Sequence, residues 1–371
     1  ASYGSLGNNS GVGRYEQQET LTNLNYVLGT SVQRGFANNK MINRFLSWET
    51  TTVLNIGLDL AFMRNRLTAA VDYYDRLTTG MNRPSEFSTF LSAAYSPAPR
   101  TNIGNLRNRG VEIDLSWKDR IGKLQYGFNL NGAFNTTNLE KWNQLLLRGN
   151  VFLEMPYQFV YAYQDNGIAQ SWADIHKNTP QGASPGDLLM KDLNGDGRIT
   201  ADDRKAYSNL QQERPTTTFS FNTYVAYKGF DFTVFLQGAA GRKDYWQTIY
   251  NNTNFGNSRY AATWEHWTNP WSWDNRDGLW PRLGGSGNNR NQTSFWLDDM
   301  SYLRVKNLQL GYTVPTKVLS RLGVTNLRIV GSAENIGTLS AFRGLDPEKQ
   351  GDDNNVYPIN KSYSLAINLS F

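Results

Sequence analysis

Apolar residues recur at every second position along most of this chain. That period belongs to a strand with one greasy face, because successive side chains leave a pleated backbone on opposite sides. At the end of the chain Tyr363, Leu365, Ile367, Leu369 and Phe371 alternate with Ser364, Ala366, Asn368 and Ser370. Leu124, Tyr126, Phe128, Leu130 and Phe134 oppose Gln125, Asn129, Asn131 and Asn135. Val111, Ile113, Leu115 and Trp117 oppose Glu112, Asp114, Ser116 and Lys118. The same design runs through Leu54–Phe62, Leu67–Leu77, Phe219–Tyr227, Phe230–Leu236 and Leu327–Ala333. One segment slips phase: Leu303 and Val305 have the opposite parity from Leu308, Leu310 and Tyr312. A bulge near Lys306–Asn307 restores a single face.

Two architectures use such strands. A sandwich buries the apolar faces against each other. A membrane barrel turns them to lipid, keeps the polar faces around a wet lumen, and closes so that every backbone group is satisfied. Strands of nine to eleven residues, bracketed by aromatics, favour the barrel. The connections decide it. Those at 63–66, 119–123, 228–229 and 314–326 are short to modest, whereas 80–106, 137–216, 241–299 and 336–360 are long. Short turns at one rim and long loops at the other are the habit of bacterial outer-membrane barrels, with the short side in the periplasm. The expected fold is therefore an all-β, transmembrane antiparallel barrel, multi-pass in the cell outer membrane.

Composition agrees where it bears on this. No run of eighteen apolar residues exists, so no spanning helix is expected. Cys is absent, which excludes a disulfide framework, a thiol nucleophile and a Cys-based metal site. The net charge of +5 is spread along the chain, and no nucleic-acid footprint emerges. His176 and His266 have no partner motif for a triad or a zinc site, so no catalytic residue is assigned and an enzyme is not expected.

Several segments then resemble a known family. They are Tyr3-Gly4 with Gly7-Asn8, Trp48-Glu49-Thr50-Thr51 leading to Asn55-Ile56-Gly57-Leu58-Asp59, and Val71-Asp72-Tyr73-Tyr74-Asp75-Arg76. Further along come Asn102 to Glu112, Lys191 to Thr200, Pro281-Arg282 and Ser301 to Leu308. Taken in this order, residues 1–371 resemble SusC-like TonB-dependent transporters of Bacteroidetes. The resemblance implies a 22-stranded barrel of which about ten C-terminal strands are here, with the plug domain, TonB box and N-terminal strands outside this sequence. It implies active import of large nutrients, oligosaccharides or peptides, together with a SusD-like lipoprotein lid. Energy would come from TonB-ExbB-ExbD through that N-terminal part, and the barrel would sit in outer-membrane lipid and lipopolysaccharide. The alternative is a passive porin or structural outer-membrane barrel, which would lack a plug. A carbohydrate-active sandwich enzyme is a third reading, and the loop asymmetry and the lack of an acid/base pair count against it.

Two constellations lie in the long connections. In 137–216, Asp192, Asn194, Asp196, the Arg198 carbonyl and Asp203 stand at positions 1, 3, 5, 7 and 12 of a loop with Gly197 at 6. Such oxygens suit Ca²⁺ in a structural role, and an ion-free turn of Asx residues is the plainer alternative. In 241–299, Trp264, Trp267, Trp271, Trp273 and Trp280, with Trp296, suit either stacking on sugar faces or loop packing and contact with a lid. Phe371 matches the aromatic end by which outer-membrane barrels are recognised for assembly.

Overall fold

The computed structural model describes residues 1–10, 12–38, 41–85, 99–143, 152–156, 159–211, 214–245, 264–285, 287–319, 323–349 and 357–371. In chain order the strands begin with β1 (Ser2–Asn8), β2 (Thr22–Leu28), β3 (Ser31–Ala37), β4 (Glu49–Phe62), β5 (Leu67–Pro84), β6 (Arg100–Ile121) and β7 (Leu124–Trp142). Then come β8 (Phe159–Tyr163), β9 (Asp165–Ile168), β10 (Leu188–Met190) and β11 (Arg204–Gln211). The last are β12 (Thr217–Tyr227), β13 (Phe230–Ala240), β14 (Lys243–Tyr245), β15 (Leu297–Asp299), β16 (Tyr302–Thr313), β17 (Asn326–Ser340) and β18 (Ser362–Ser370). Among the described residues three short α-helices, α1 (Trp172–Lys177), α2 (Trp264–Thr268) and α3 (Thr316–Leu319), and 3-10 turns at Ala201–Asp203, Gly287–Arg290 and Ser294–Trp296 complete the regular structure. Among the described residues no helix is long and apolar enough to cross a membrane.

Ten strands form one sheet in the order β1-β4-β5-β6-β7-β12-β13-β16-β17-β18, and four two-stranded sheets account for the rest. Contacts divide the chain into two compact units. The first comprises Ala1–Leu58, Val71–Glu112 and Asn135–Tyr157, and the second Asp59–Ala70, Ile113–Phe134 and Gln158–Phe371.

In the first unit β1 pairs antiparallel with β4, placing Tyr3 opposite Leu54 and Ser5 opposite Thr52. β2 and β3 form a separate hairpin. Gly57 is there because Asp72 lies over it: a Cβ at 57 would collide with the Asp72 carboxylate.

The second unit shows why alternation implies a barrel wall. Register aligns the apolar positions of six strands into one row: Leu124, Tyr227, Phe230, Tyr312, Ile329 and Ile367. The next row is Tyr126, Val225, Phe232, Leu310, Gly331 and Leu365. Many of these residues are exposed, for example Phe230 and Leu310, each more than half so. A soluble sheet does not leave contiguous apolar rows bare, whereas lipid covers them at no cost. Further along the strands a polar row of the opposite face runs Asn131, Ser220, Gln237, Arg304 and Thr338. Between β12 and β13 the tight turn rests on Lys228 and Gly229, both at positive φ, the conformation that matches strand twist in a two-residue hairpin.

The slip in β16 is a bulge. β13 pairs Phe235 with Asn307 and Leu236 with Val305, so Lys306 is the extra residue. β17 shifts register at the same place, and Asn335 there has positive φ. The bulge turns Lys306 to the polar face, where its ammonium lies 3.2 Å from Glu348.

Strand ends differ from expectation on the long-loop side. β5 runs to Pro84, β6 begins at Arg100, β7 reaches Trp142 and β17 reaches Ser340. The connections expected at 80–106, 137–216 and 336–360 are therefore shorter at their edges, and 137–216 contains β8 to β11. In these extensions Met81, Ile103 and Leu139 are buried among polar neighbours, so no single apolar face repeats and the alternation that marks a strand disappears.

Candidate functional site

The long connections of the second unit fold into a layer with its own core. Val160, Ala162, Leu188, Tyr245, Trp280, Trp296, Met300 and Phe342 are buried together. Trp280 stacks on Trp296 with ring centroids 6.0 Å apart and planes 9° from parallel. The Arg343 guanidinium lies over the Trp280 ring at 4.5 Å and ion-pairs with Asp298. Trp271 is also buried, donating its ring N–H to Gln170 at 2.8 Å. Trp264, Trp267 and Trp273 are exposed. The Trp-rich stretch thus does two jobs: Trp271, Trp280 and Trp296 pack the layer, and Trp264, Trp267 and Trp273 face outward. Trp273 is mounted beside Trp271 at 5.2 Å and carries Arg276 over its ring.

The loop from Asp192 to Asp203 closes on itself. Gly195 and Gly197 both have φ +75, a conformation that glycine adopts without strain. Asp192 accepts from the backbone N–H groups of Gly195 (2.7 Å) and Gly197 (2.9 Å). Asn194 accepts from Asp196 N–H, and Asp196 from Arg198 N–H. Asp203 is fully buried and accepts from Leu193 N–H at 2.9 Å and Thr200 N–H at 2.7 Å. The Thr200 N–H holds the Asp203 carboxyl below its usual range, aided by Leu193 and Asn194 and opposed by burial. Thr200 and Asp203 form a reciprocal capping box on the turn Ala201–Asp203. The oxygens of Asp192, Asn194, Asp196 and Asp203 thus converge on one short loop. Among the described residues no group of three or more His, Cys, Asp or Glu is gathered as a metal set. Any cation here would depend on Asn194 and the Arg198 carbonyl as well as the carboxylates.

A third cluster was not found from sequence. Arg304, almost wholly buried, reaches Asp346 at 2.7 Å and Glu348 at 2.9 Å. Tyr302 donates its hydroxyl to Glu348 at 2.7 Å. Arg242 donates to the carbonyl of Lys349 at 2.8 Å and to Asp244 at 3.1 Å. The segment 341–349 is thereby strapped to β16 and the end of β13. Burial pushes the Glu348 carboxyl up, but the Tyr302 hydroxyl, Arg304 and Lys306 outweigh it, and its pKa is lowered. The available signal was parity: Tyr302 and Arg304 share the polar face of β16, and the bulge brings Lys306 to it.

His176 closes the last turn of α1, and the side chain of His266 lies outside the described residues. Asp298 is buried against Arg343, and Asp352 and Asp353 lie outside the described residues.

No family model matches the chain. TonB-dependent receptor P3 of Formosa agariphila is 28% identical across 100% of the chain, which covers 39% of that receptor. TonB-dependent receptor SusC of Bacteroides thetaiotaomicron is 26% identical over 90% of the chain and 33% of its own length. Among solved structures, the RagAB peptide importer in its closed-closed state superposes over 100% of the chain and 40% of its own with TM-score 0.78 and 25% identity. A second RagAB structure gives TM-score 0.77. The chain thus spans about two fifths of the length of the first of these receptors. The relatives are receptors and transporters, and the sheet is that of an outer-membrane β-barrel.

Proposed function

We propose, taking as premise the SusC-like TonB-dependent receptor barrel that this chain contributes to in the outer membrane, that it serves the active import of oligosaccharides or peptides. The observation that carries this is the pairing of an outward apolar face with a hydrogen-bonded polar inner face, across a chain similar to such receptors from end to end. Asn131 donates to Asn129 at 2.6 Å and lies 3.4 Å from Ser220, and Asn129 in turn donates to Asp114 at 3.1 Å. A wall of amides and carboxylates can exchange hydrogen bonds with sugar hydroxyls or peptide groups.

Energy enters through TonB, and a SusD-like surface lipoprotein covers the mouth. Trp264, Trp267 and Trp273 are the ring faces available to cargo or lid, since aromatic faces stack on both sugars and apolar protein surface. Ca²⁺ held by Asp192, Asn194, Asp196, the Arg198 carbonyl and Asp203 would stiffen the outer loop layer. A passive porin is the competing reading. Uptake of labelled oligosaccharide and peptide pools by cells, with and without a protonophore, tests it: import that persists after the proton gradient collapses would make the barrel a porin.

A further inference from the structure

Parity places a charged cluster on the lipid side of the first unit. On β5 the outward positions are Val71 and Tyr73, both exposed, and Asp75 follows on the same face. On β6 Val111 faces outward, and Arg109 and Arg107 follow on that face toward the long-loop end. On β7 the face that carries Phe134, half exposed, also carries Glu140. The opposite, inward face has its own pairing, with Asn108 donating to Thr137 at 2.6 Å.

These four groups are joined. Arg107 forks onto Asp75 with Nε at 2.7 Å and Nη2 at 2.6 Å, and its Nη1 reaches Glu140 at 2.9 Å. All three of its nitrogens are occupied. Arg109 uses only Nε, 3.1 Å from Asp75, and its two terminal nitrogens meet no protein partner among the described residues. Arg109 is half exposed, whereas Asp75 is covered by the two guanidinium groups.

The cluster's height is marked by aromatics. Tyr and Trp side chains collect where hydrocarbon gives way to headgroups. Asp75 lies about 7 Å beyond Tyr73 at the usual strand rise. A guanidinium at that level, facing out, meets lipid headgroups and no aqueous lumen. The carboxylate of Asp75 holds Arg109 through Nε and leaves both terminal nitrogens for a second acceptor, and a guanidinium offers such nitrogens as the planar fork that fits a phosphate.

We propose that Arg109, positioned by Asp75 and buttressed by Arg107 and Glu140, is a docking site for the phosphate of an outer-leaflet glycolipid. The glycolipid binds to the outside of the wall and does not enter the transport path. The inference rests on the outer-membrane placement of the barrel and is independent of what the barrel imports.

The test uses the intact protein purified from outer membranes and placed in nanodiscs containing either bisphosphorylated lipid A or its dephosphorylated counterpart. Retained lipid is counted by native mass spectrometry, and thermal unfolding is followed in both. The parent protein retains and is stabilised by the phosphorylated form. Arg109→Gln loses that preference, with apparent affinity falling on the order of tenfold, as one charge-assisted pair would give. Arg109→Lys keeps part of the preference, because the charge stays while the fork is lost. Equal retention of both lipids by the parent, or an unchanged preference in Arg109→Gln, would overturn the assignment. If Arg109→Gln unfolds in every membrane alike, the cluster is purely a structural brace and the proposal fails.

Discussion

The carboxylate of Asp231 on β13 meets the guanidinium of Arg328 on β17 across the strand that lies between them, Oδ2 to Nη2 at 2.6 Å. The contact passes over Gly311 of β16, which faces Asp231 directly in the register. A Cβ at 311 would stand 2.6 Å from both Asp231 oxygens and 2.8 Å from Arg328 Nη2. The inner wall thus uses a missing side chain to let two charges meet over two strand spacings.

Gly311→Ala separates two opposing effects. Replacing glycine in a strand reduces the freedom of the unfolded chain and by itself stabilises by about 0.4–1 kcal/mol. Here the methyl group would have to displace a pair of charged side chains, an overpacking cost of about 1–3 kcal/mol. The expected outcome is a net loss, read as a lower unfolding midpoint in lipid. The Asp231→Ala, Gly311→Ala double variant should recover part of it. A Gly311→Ala protein as stable as the parent would mean that the ion pair moves aside freely and contributes nothing.

Leu130 tests the facing of the wall. It pairs with Phe221 within the outward apolar rows, while its neighbour Asn129 donates to Asp114 on the inner face. Leu130→Arg should cost about 2–4 kcal/mol if the site lies near the bilayer midplane, and Asn129→Arg much less. Single cysteines give a second readout. A membrane-impermeant thiol reagent should modify position 129 through the lumen and spare position 130, and the reverse pattern would invert the assignment.

The barrel wall was legible in the sequence because lipid and water impose opposite demands on alternate residues, and the rows through Leu124 and Tyr126 follow from that demand alone. Even the bulge at Lys306 showed as a phase slip between Val305 and Leu308. The strand extensions were not legible, because in Arg100–Leu106 the buried Ile103 sits between the polar Asn102 and Asn105 with no alternating apolar face, and Asn335–Ser340 likewise breaks the period. Nor could parity divide the Trp residues. Trp280 and Trp273 look alike in sequence, and only the fold of the loop layer buries one against Trp296 and leaves the other outside. The strap at 341–349 was hidden for a different reason: its carboxylates, Asp346 and Glu348, are separated from Arg304 by more than forty residues.

Glu348 gives that strap a pH dependence. Its folded pKa is depressed below the unfolded value of about 4.3. Its contribution is therefore fully present above that unfolded value and is lost as pH falls through the folded one. The groups facing it are Tyr302, Arg304 and Lys306, with Asp346 sharing Arg304. Protease cleavage within 341–349 should be slow at neutral pH and should rise on acidification below about pH 4. Glu348→Gln should show raised cleavage at neutral pH and a flatter acid response. A parent profile that stays flat down to pH 2 would remove Glu348 as the anchor.

Calcium is the last expectation, and its physics is that of a long connection that must be ordered. Fixing each residue of a loop costs roughly 1–2 kcal/mol of conformational entropy. The turn from Asp192 to Asp203 already recovers part of this through hydrogen bonds from its own backbone N–H groups to Asp192 and Asp203. Those bonds leave lone pairs on the same oxygens, so a cation could be added without undoing the turn. Extracellular modules bind Ca²⁺ at about 10⁻⁴–10⁻³ M, an affinity sufficient outside the cell. Limited proteolysis of the purified protein with millimolar calcium, and again with chelator, should show cleavage near Gly195–Arg198 only in the second case. Asp192→Ala with Asp196→Ala should cleave in both conditions while the barrel still assembles. Asp203→Asn separates the two roles of that residue. It keeps an oxygen for the cation and weakens the acceptor for Thr200 N–H, so calcium should still protect, at a higher concentration. Identical cleavage of the parent with calcium and with chelator would leave the loop as a self-closed turn held by its own Asx side chains.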